Sequence, residues 1–385
     1  MFLVNVSDGK TAREFIAVNP LMNQGNPHYI RPLDKDVHDV FDPAKNKAYR
    51  FGQTARWILK DDQQKLIGRI AAFTNTKYKN KGDDVPVGGI GFFDCINNQE
   101  AADMLFDVAK HWLLQQGMQA MDGPINFGER DRWWGLLVEG FDPPVYCLNY
   151  NLPYYRSLFE TYGFKLFYQQ ICFAMKPKKP LQQKLYERHA LIAADPDFSV
   201  RWLQHGDLDR MAKDFTTVYN KAWAGHGGLK ELNTATAVKM FKSMKPVMDK
   251  RVIWFTYYKE EPIALFVNLP DLNQWFRSLN GQFGLLAKLK FLWLKWTRPC
   301  TRFVGLVFGV IPEYQQKGVD AYMIIEAYKE ILELPYEEYE MQWIGDFNPK
   351  MIRVAEGLGA HPSRKLTTYR YYFDRLKEFK RHPQV

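Results

Sequence analysis

Leu306–Ile325 reads LVFGVIPEYQQKGVDAYMII. An apolar run leads into a proline-marked turn, a polar loop with one glycine, and an amphipathic helix. Apolar residues recur at Ala321, Ile324, Ile325 and Tyr328, the spacing of one buried helical face. A strand that passes through a glycine-bearing turn into a helix N-terminus makes an anion site. The first-turn N–H groups have no partner inside the helix, and the helix dipole favours negative charge there. Pyrophosphate is the usual occupant of such a site.

Working outward from this block, the chain reads twice. Phe2–Val18 and Phe198–Phe215 share the pattern strand, polar loop, helix. Arg56–Asn75 and Arg251–Pro270 each read as two strands joined by a polar turn. Val87–Gly117 and Val304–Leu334 read as strand then helix, and Tyr154–Met175 and Met351–Phe373 as helix, glycine stop, strand. The repeated order is β-α-β-β-β-α-β-α-β. The expected organisation is a first domain over 1–178, a linker over 179–197 that is helical through Leu181–Ile192, and a second domain over 198–385. Two segments break the symmetry: His28–Phe51, read as a loop insertion, and Leu272–Thr301. At the position of the glycine-bearing loop the first half has Asp94-Cys95-Ile96-Asn97-Asn98-Gln99-Glu100, without glycine and with carboxylates. The second half is therefore the expected anion-binding half.

With 385 residues, the chain can hold two ordinary cores. Hydrophobic residues make up 46% and charged residues 25%, a globular composition. The four cysteines are scattered without a CxxC pair and the eight histidines lack ligand spacing, so no disulfide framework and no metal site are expected. The opening MFLVNVSDGK lacks a signal-peptide pattern and no apolar run is long enough to span a bilayer, so a cytoplasmic protein is expected. The net charge of +9 favours anionic partners, but it is spread along the chain without a nucleic-acid motif, which argues against nucleic acid.

The loop Val310-Ile311-Pro312 followed by Gln315-Gln316-Lys317-Gly318-Val319-Asp320 resembles the acyl-coenzyme A loop of the GNAT acyltransferase superfamily, where Val-x-Pro precedes Gln/Arg-x-x-Gly-x-Gly/Ala. The repeated order of elements is also the GNAT order. The wording of Gly123–Tyr155, GPINFGERDRWWGLLVEGFDPPVYCLNYNLPYY, resembles bacterial tandem-GNAT proteins known only as predicted N-acetyltransferases, over the whole chain. The resemblance implies an α/β fold of two tandem GNAT-like domains, each a mixed, mostly antiparallel sheet flanked by helices. It implies acetyl- or another acyl-coenzyme A as donor, held by Val310, Gln315, Gln316, Lys317, Gly318 and Val319, with Asn348 on the pantetheine arm. Two positions depart from the family. Asp320 replaces a glycine, and is expected to turn outward and cap the helix. Ala355 stands seven positions after Asn348, where many GNAT enzymes place a tyrosine that protonates the leaving thiolate.

The resemblance further implies an acceptor site at the seam of the domains, as in N-myristoyltransferase and the Fem-type aminoacyl transferases. Asp271, at the end of the second half's third strand, and Glu340 on its fifth are the candidate bases for an amine acceptor. Asn126, Glu129 and Trp134 in the aromatic loop, with Asn273, are the candidate acceptor contacts. Gly284–Arg298, GLLAKLKFLWLKWTR, alternates lysines with leucines and tryptophans. It suits peripheral contact with the inner face of a membrane, a cover over an acyl-chain groove, or a core helix with snorkelling lysines. The expected activity is acyl transfer from acyl-coenzyme A to a small-molecule or lipid-like amine. The alternatives are a non-catalytic acyl-coenzyme A or lipid-binding protein, a Fem-like aminoacyl transferase, and a scaffold.

Overall fold

The computed structural model describes residues 1–203, 208–223 and 231–384. The polar loop expected after the second half's first strand lies partly outside the described residues. The first half contributes β1 (Phe2–Asn5), α1 (Gly9–Met22), α2 (Asp34–Val40), β2 (Gly52–Lys60), β3 (Leu66–Asn75), β4 (Val87–Cys95), α3 (Gln99–Gln115), β5 (Ala120–Gly123), β6 (Leu136–Glu139), α4 (Tyr155–Tyr162) and β7 (Lys165–Met175). The linker is α5 (Gln183–Ala193). The second half contributes β8 (Phe198–Trp202), α6 (Leu208–Trp223), α7 (Thr234–Met244), β9 (Ile253–Tyr258), β10 (Glu261–Pro270), α8 (Asn273–Phe276), α9 (Leu285–Thr297), β11 (Arg302–Val310), α10 (Val319–Ile331), β12 (Glu338–Gly345), α11 (Pro349–Gly357) and β13 (His361–Tyr372). The repeat is present, with additions. The insertion read as a loop over 28–51 carries α2, whose Val37 and Val40 are buried against α1.

The strands form one continuous sheet in the order β1-β2-β3-β4-β5-β13-β7-β12-β11-β10-β9-β8, with β6 also on β13. Its centre is exchanged between the halves. β13, from the end of the second half, pairs with β5 of the first; β7, from the end of the first, pairs with β12 of the second; and the two lie antiparallel to each other. Buried charge holds the exchange. Arg370 on β13 places Nε 2.6 Å and Nη2 2.8 Å from the Asp122 carboxylate on β5, with its guanidinium 3.6 Å from the centre of the Phe167 ring. Two groups this deeply buried are tolerated only as a pair with their hydrogen bonds filled.

Every pairing but two is antiparallel. The parallel pairs are β4 with β5 and β11 with β12, and both are short. β11 and β12 run together only from Arg302↔Glu338 to Gly305↔Met341, and then diverge. On its other side, β11 skips one residue against β10. Val267 faces Val307 and Asn268 faces Gly305, so Leu306 is a bulge with no partner residue on either neighbour.

Candidate active site

Beyond Gly305↔Met341 the edge of β11 that faced β12, Leu306–Val310, has no strand partner, and the glycine loop lies at its far end. After Val310 the chain makes a single 3-10 turn at Pro312–Tyr314 and enters α10. Gln315 closes the turn through Nε2, which donates to the Val310 carbonyl at 2.9 Å. Gln315, Gln316 and Lys317 are exposed, whereas Gly318 and Val319 are buried. Gly318 stands at the N-cap with φ +96°, where no side chain caps the helix. A Cβ on Gly318 would also come 3.2 Å from the Arg188 carbonyl of α5. Glycine is thus required twice over, by the left-handed backbone and by the linker helix packed beside it.

Asp320 departs from expectation in its partner. It does not cap α10; its Oδ1 lies 2.6 Å from Arg188 Nη2 on α5. His189 of α5 likewise meets Glu326 at 2.6 Å. Asn348 caps α11, accepting from the Met351 N–H at 3.2 Å, with Pro349 as the first helical residue. Ala355 is buried among Phe173, Ile171, Ile344 and Met341, and brings no titratable group to that edge.

The equivalent place in the first half is covered at Gly91, beyond which a cavity of about 60 Å³ lies among Phe92, Phe93, Asp94, Pro124, Leu136 and Asn151. β4 and β5 pair only from Val87↔Ala120 to Gly89↔Asp122. The chain after β5 then turns back against β4, where the Ile125 N–H donates to the Ile90 carbonyl at 2.7 Å. A Cβ on Gly91 would lie 1.9 Å from the Ile125 carbonyl oxygen. Asn98 caps the N-terminus of α3 by accepting from the Ala101 N–H at 2.8 Å. Asp94 is buried on β4. It pairs with Arg69 at 2.7 Å and accepts from Asn19 and Tyr155; burial pushes its pKa up against those partners.

The structure joins the two candidate bases to each other, but through arginines. Arg302 Nη2 lies 2.9 Å from Asp271 Oδ2, and its Nη1 lies 3.5 Å from Glu340 Oε2. Arg364 on β13 binds Glu340 at 2.6 Å and donates to the Asp142 and Pro143 carbonyls. Asp271 Oδ1 also accepts from the Asn273 and Tyr146 N–H groups. Both carboxylates are buried, and burial raises the Asp271 pKa despite Arg302. This cluster lies where β11 and β12 begin; Glu340 faces Val304, two residues before the Leu306 bulge and roughly 20 Å along the strand from Val310 at ~3.3 Å per residue. It fastens the aromatic loop of the first half to the second half. Asn273 belongs to the same seam, with Nδ2 donating to the Pro144 carbonyl at 2.8 Å.

The other candidate acceptor contacts lie elsewhere. Asn126 is buried; its Nδ2 reaches the Glu129 carbonyl, and its Oδ1 has no partner among the described residues. Trp134 is buried with its indole N–H donating to Tyr168 at 2.8 Å, and Glu129 is exposed. Sequence reasoning passed over Tyr339. Its ring stacks on Phe303, 4.5 Å between centroids, and its hydroxyl lies against Gly305: a Cβ there would be 2.2 Å from that oxygen. A phenol is thereby set beside the last paired residue of β11, next to the Leu306 bulge. Burial pushes its pKa well above the ordinary value. The glycine opposite it, within an otherwise apolar strand, was the signal that could have exposed it.

Among the described residues no group of three or more His, Cys, Asp or Glu could hold a metal ion, and no helix is long and apolar enough to cross a membrane.

No protein-family model matches the chain. It is 25% identical over 366 residues to the bacterial ceramide synthase of Caulobacter vibrioides, covering 94% of each chain. It is 26% identical over 368 residues to protein YghO of Escherichia coli, covering 93% of this chain and 92% of that one. Among solved structures, a tandem GNAT protein from the clavulanic acid biosynthesis pathway superposes with a TM-score of 0.55 at 10% identity, over 96% of this chain and 98% of that one. The GCN5-related glucosamine N-acetyltransferase region of a fungal multi-domain β-N-acetylglucosaminidase gives 0.54 at 9% identity, over 96% of this chain but only 38% of that longer one. The continuous strand order, the bulged and splayed β11 and the uncapped α10 together with these superpositions establish that this chain has the tandem GNAT fold.

Proposed function

We propose that the protein is an N-acyltransferase that moves a fatty acyl group from coenzyme A to the amine of a long-chain lipid. The observation that carries this reading is the contrast between the halves. α10 presents an uncapped N-terminus behind a left-handed glycine at the end of a splayed strand, whereas the matching helix of the first half has no glycine before it and is capped by Asn98. The uncapped amides and the dipole of α10 suit the diphosphate of the donor. The free backbone edge of Leu306–Val310 suits the amide groups of a pantetheine arm. The lipid amine comes from the resemblance along the whole chain to a protein named as a ceramide synthase, since a ceramide is an N-acylated long-chain amino alcohol.

In this reading the amine nitrogen attacks the thioester carbonyl, the carbon–sulfur bond breaks, and an amide and a thiolate form. The Leu306 N–H, at a bulge with no opposite residue on β10, would donate to the oxyanion. The Tyr339 phenol, held protonated by its burial, would give the thiolate its proton, the role left vacant at Ala355, and the tyrosinate would take up the proton shed by the amine nitrogen, so that an amide, a thiol and the starting phenol result. Asp271 and Glu340 serve as seam charges, because each is already bound to an arginine. The test is to incubate the purified protein with palmitoyl-coenzyme A and a long-chain amino alcohol. Amide product and free thiol should appear in equal amounts. Thioester binding without turnover on any long-chain amine would overturn the reading in favour of a non-catalytic binder.

A further inference from the structure

Thirteen large hydrophobic side chains are exposed among the described residues, and six of them sit on α9: Leu285, Leu286, Leu289, Leu292, Trp293 and Trp296. Trp296 is 85% exposed and Leu286 81%. At about 100° per residue these six fill one arc of about 120°. The opposite side of the helix carries Phe291 and Leu294, which are buried; Phe291 packs against Trp275, Phe276 and Phe283. The helix is therefore anchored by one apolar face and leaves a second, larger one bare. The two tryptophans point to solvent and line no acyl groove.

Lysines flank the bare arc on both sides, Lys288 and Lys295 along one edge and Lys290 along the other, with Arg298 at the C-terminus. Lys290 and Lys295 donate to the Ser278 and Pro246 carbonyls. None of these four cations forms an ion pair with a carboxylate among the described residues, so the patch is cationic as well as apolar.

We infer that α9 is a membrane-docking helix that lies in the headgroup layer of an anionic lipid bilayer. Tryptophan and leucine bury their apolar bodies at that depth while flanking lysines meet lipid phosphate, and the two contributions add. Charge complementarity selects this occupant. A second copy of the same face would set cations against cations, whereas an anionic surface neutralises them. The helix leads directly into β11 at the end of the strand remote from Gly318, so docking would bring a lipid substrate to one end of β11 and leave the donor loop in water.

The experiment is flotation of the full-length protein with vesicles of pure phosphatidylcholine and of phosphatidylcholine containing phosphatidylglycerol. It uses no acyl donor or acceptor, so its outcome is independent of whether the protein is an acyltransferase. The protein should float with the anionic vesicles, less with the neutral ones, and progressively less as salt rises. Trp293→Ala with Trp296→Ala should lower partitioning roughly tenfold or more per tryptophan, with an unchanged melting temperature, because neither ring is in the core. Lys288→Glu should lower it at least about fivefold on anionic vesicles only. Failure of the folded wild-type protein to float, or undiminished flotation of the double tryptophan variant, overturns the inference. So does a dimer in solution that the double variant dissociates, since the face would then be a contact between copies.

Discussion

Asp320 and Arg188 stand 2.6 Å apart across the packing of α10 on linker helix α5, and that pair resolves the oddest feature of the glycine-bearing loop. A carboxylate in the first turn of an anion-binding helix would repel a diphosphate. Here its charge is met by a guanidinium from the segment joining the two halves.

Removing that charge should therefore change donor affinity little. Asp320→Asn should alter the coenzyme A dissociation constant by less than about tenfold, and the melting temperature by a few degrees, because a part-exposed pair of this kind contributes at most ~1 kcal/mol. Gly318→Val should behave differently. It forces a β-branched residue to φ +96° and drives its side chain toward the Arg188 carbonyl, so binding should fall below detection. Titration calorimetry with coenzyme A checks both.

Tyr339→Phe should lower kcat by about a hundredfold or more and leave coenzyme A affinity unchanged, since only a proton is withheld. Burial raises the phenol pKa above its ordinary value of 10.0. The acid form is the active one, so it persists below the raised pKa and the rate it supports is lost only above it. The wild-type rate should accordingly show no alkaline loss from this group up to roughly pH 10. A rate unchanged in the phenylalanine variant would remove Tyr339 from the chemistry.

The buried carboxylates give a test of structure against catalysis. Glu340→Gln leaves Arg364 and Arg302 facing a neutral amide, and Asp271→Asn does the same to Arg302. Glu340→Gln, which orphans the buried Arg364, should destabilise the protein by about 3–5 kcal/mol, and Asp271→Asn by less, because Arg302 keeps Glu340 and Glu338. Residual folded enzyme should keep the wild-type pH dependence. A variant that melts normally but loses the acid limb of its pH–rate profile would show that the carboxylate acts as a base after all.

Residues 198–385 expressed alone should fail to give a cooperative thermal transition. That fragment has β13 and β12 but lacks β7, which lies between them. Adding a separately expressed fragment of residues 1–197 should restore a transition, read by circular dichroism. A stable, active C-terminal fragment would contradict the exchange.

The order of elements and the glycine-bearing turn into α10 were legible in the sequence because both are local signals: apolar periodicity, and a glycine where strand becomes helix. The linker helix was legible for the same reason. The partners of Asp271 and Glu340 were not. Arg302 and Arg364 lie 31 and 24 positions away, and only the sheet register brings them to hydrogen-bond distance. Two isolated carboxylates near strand ends read as bases, and the folded chain adds an arginine partner to each. The basic, aromatic run at 284–298 was visible, but not which of its faces would be bare, because that depends on where Phe276 and Phe283 come to rest against Phe291. Nor does any local pattern announce that β7 and β13 change sides, since either strand would satisfy the same alternation beside its own half.

The exchanged strands also set a timetable. On a ribosome, Gly123 of β5 emerges long before its partner Tyr369 of β13. At roughly 5–20 residues per second the interval is about ten to fifty seconds. Throughout it the nascent first half carries an unpaired sheet edge, together with the unneutralised charge of Asp122, which waits for Arg370. The sheet cannot close until the residues of β13, His361–Tyr372, are made. A ribosome that stalls before them leaves a chain with an open edge, a substrate for chaperones and for aggregation.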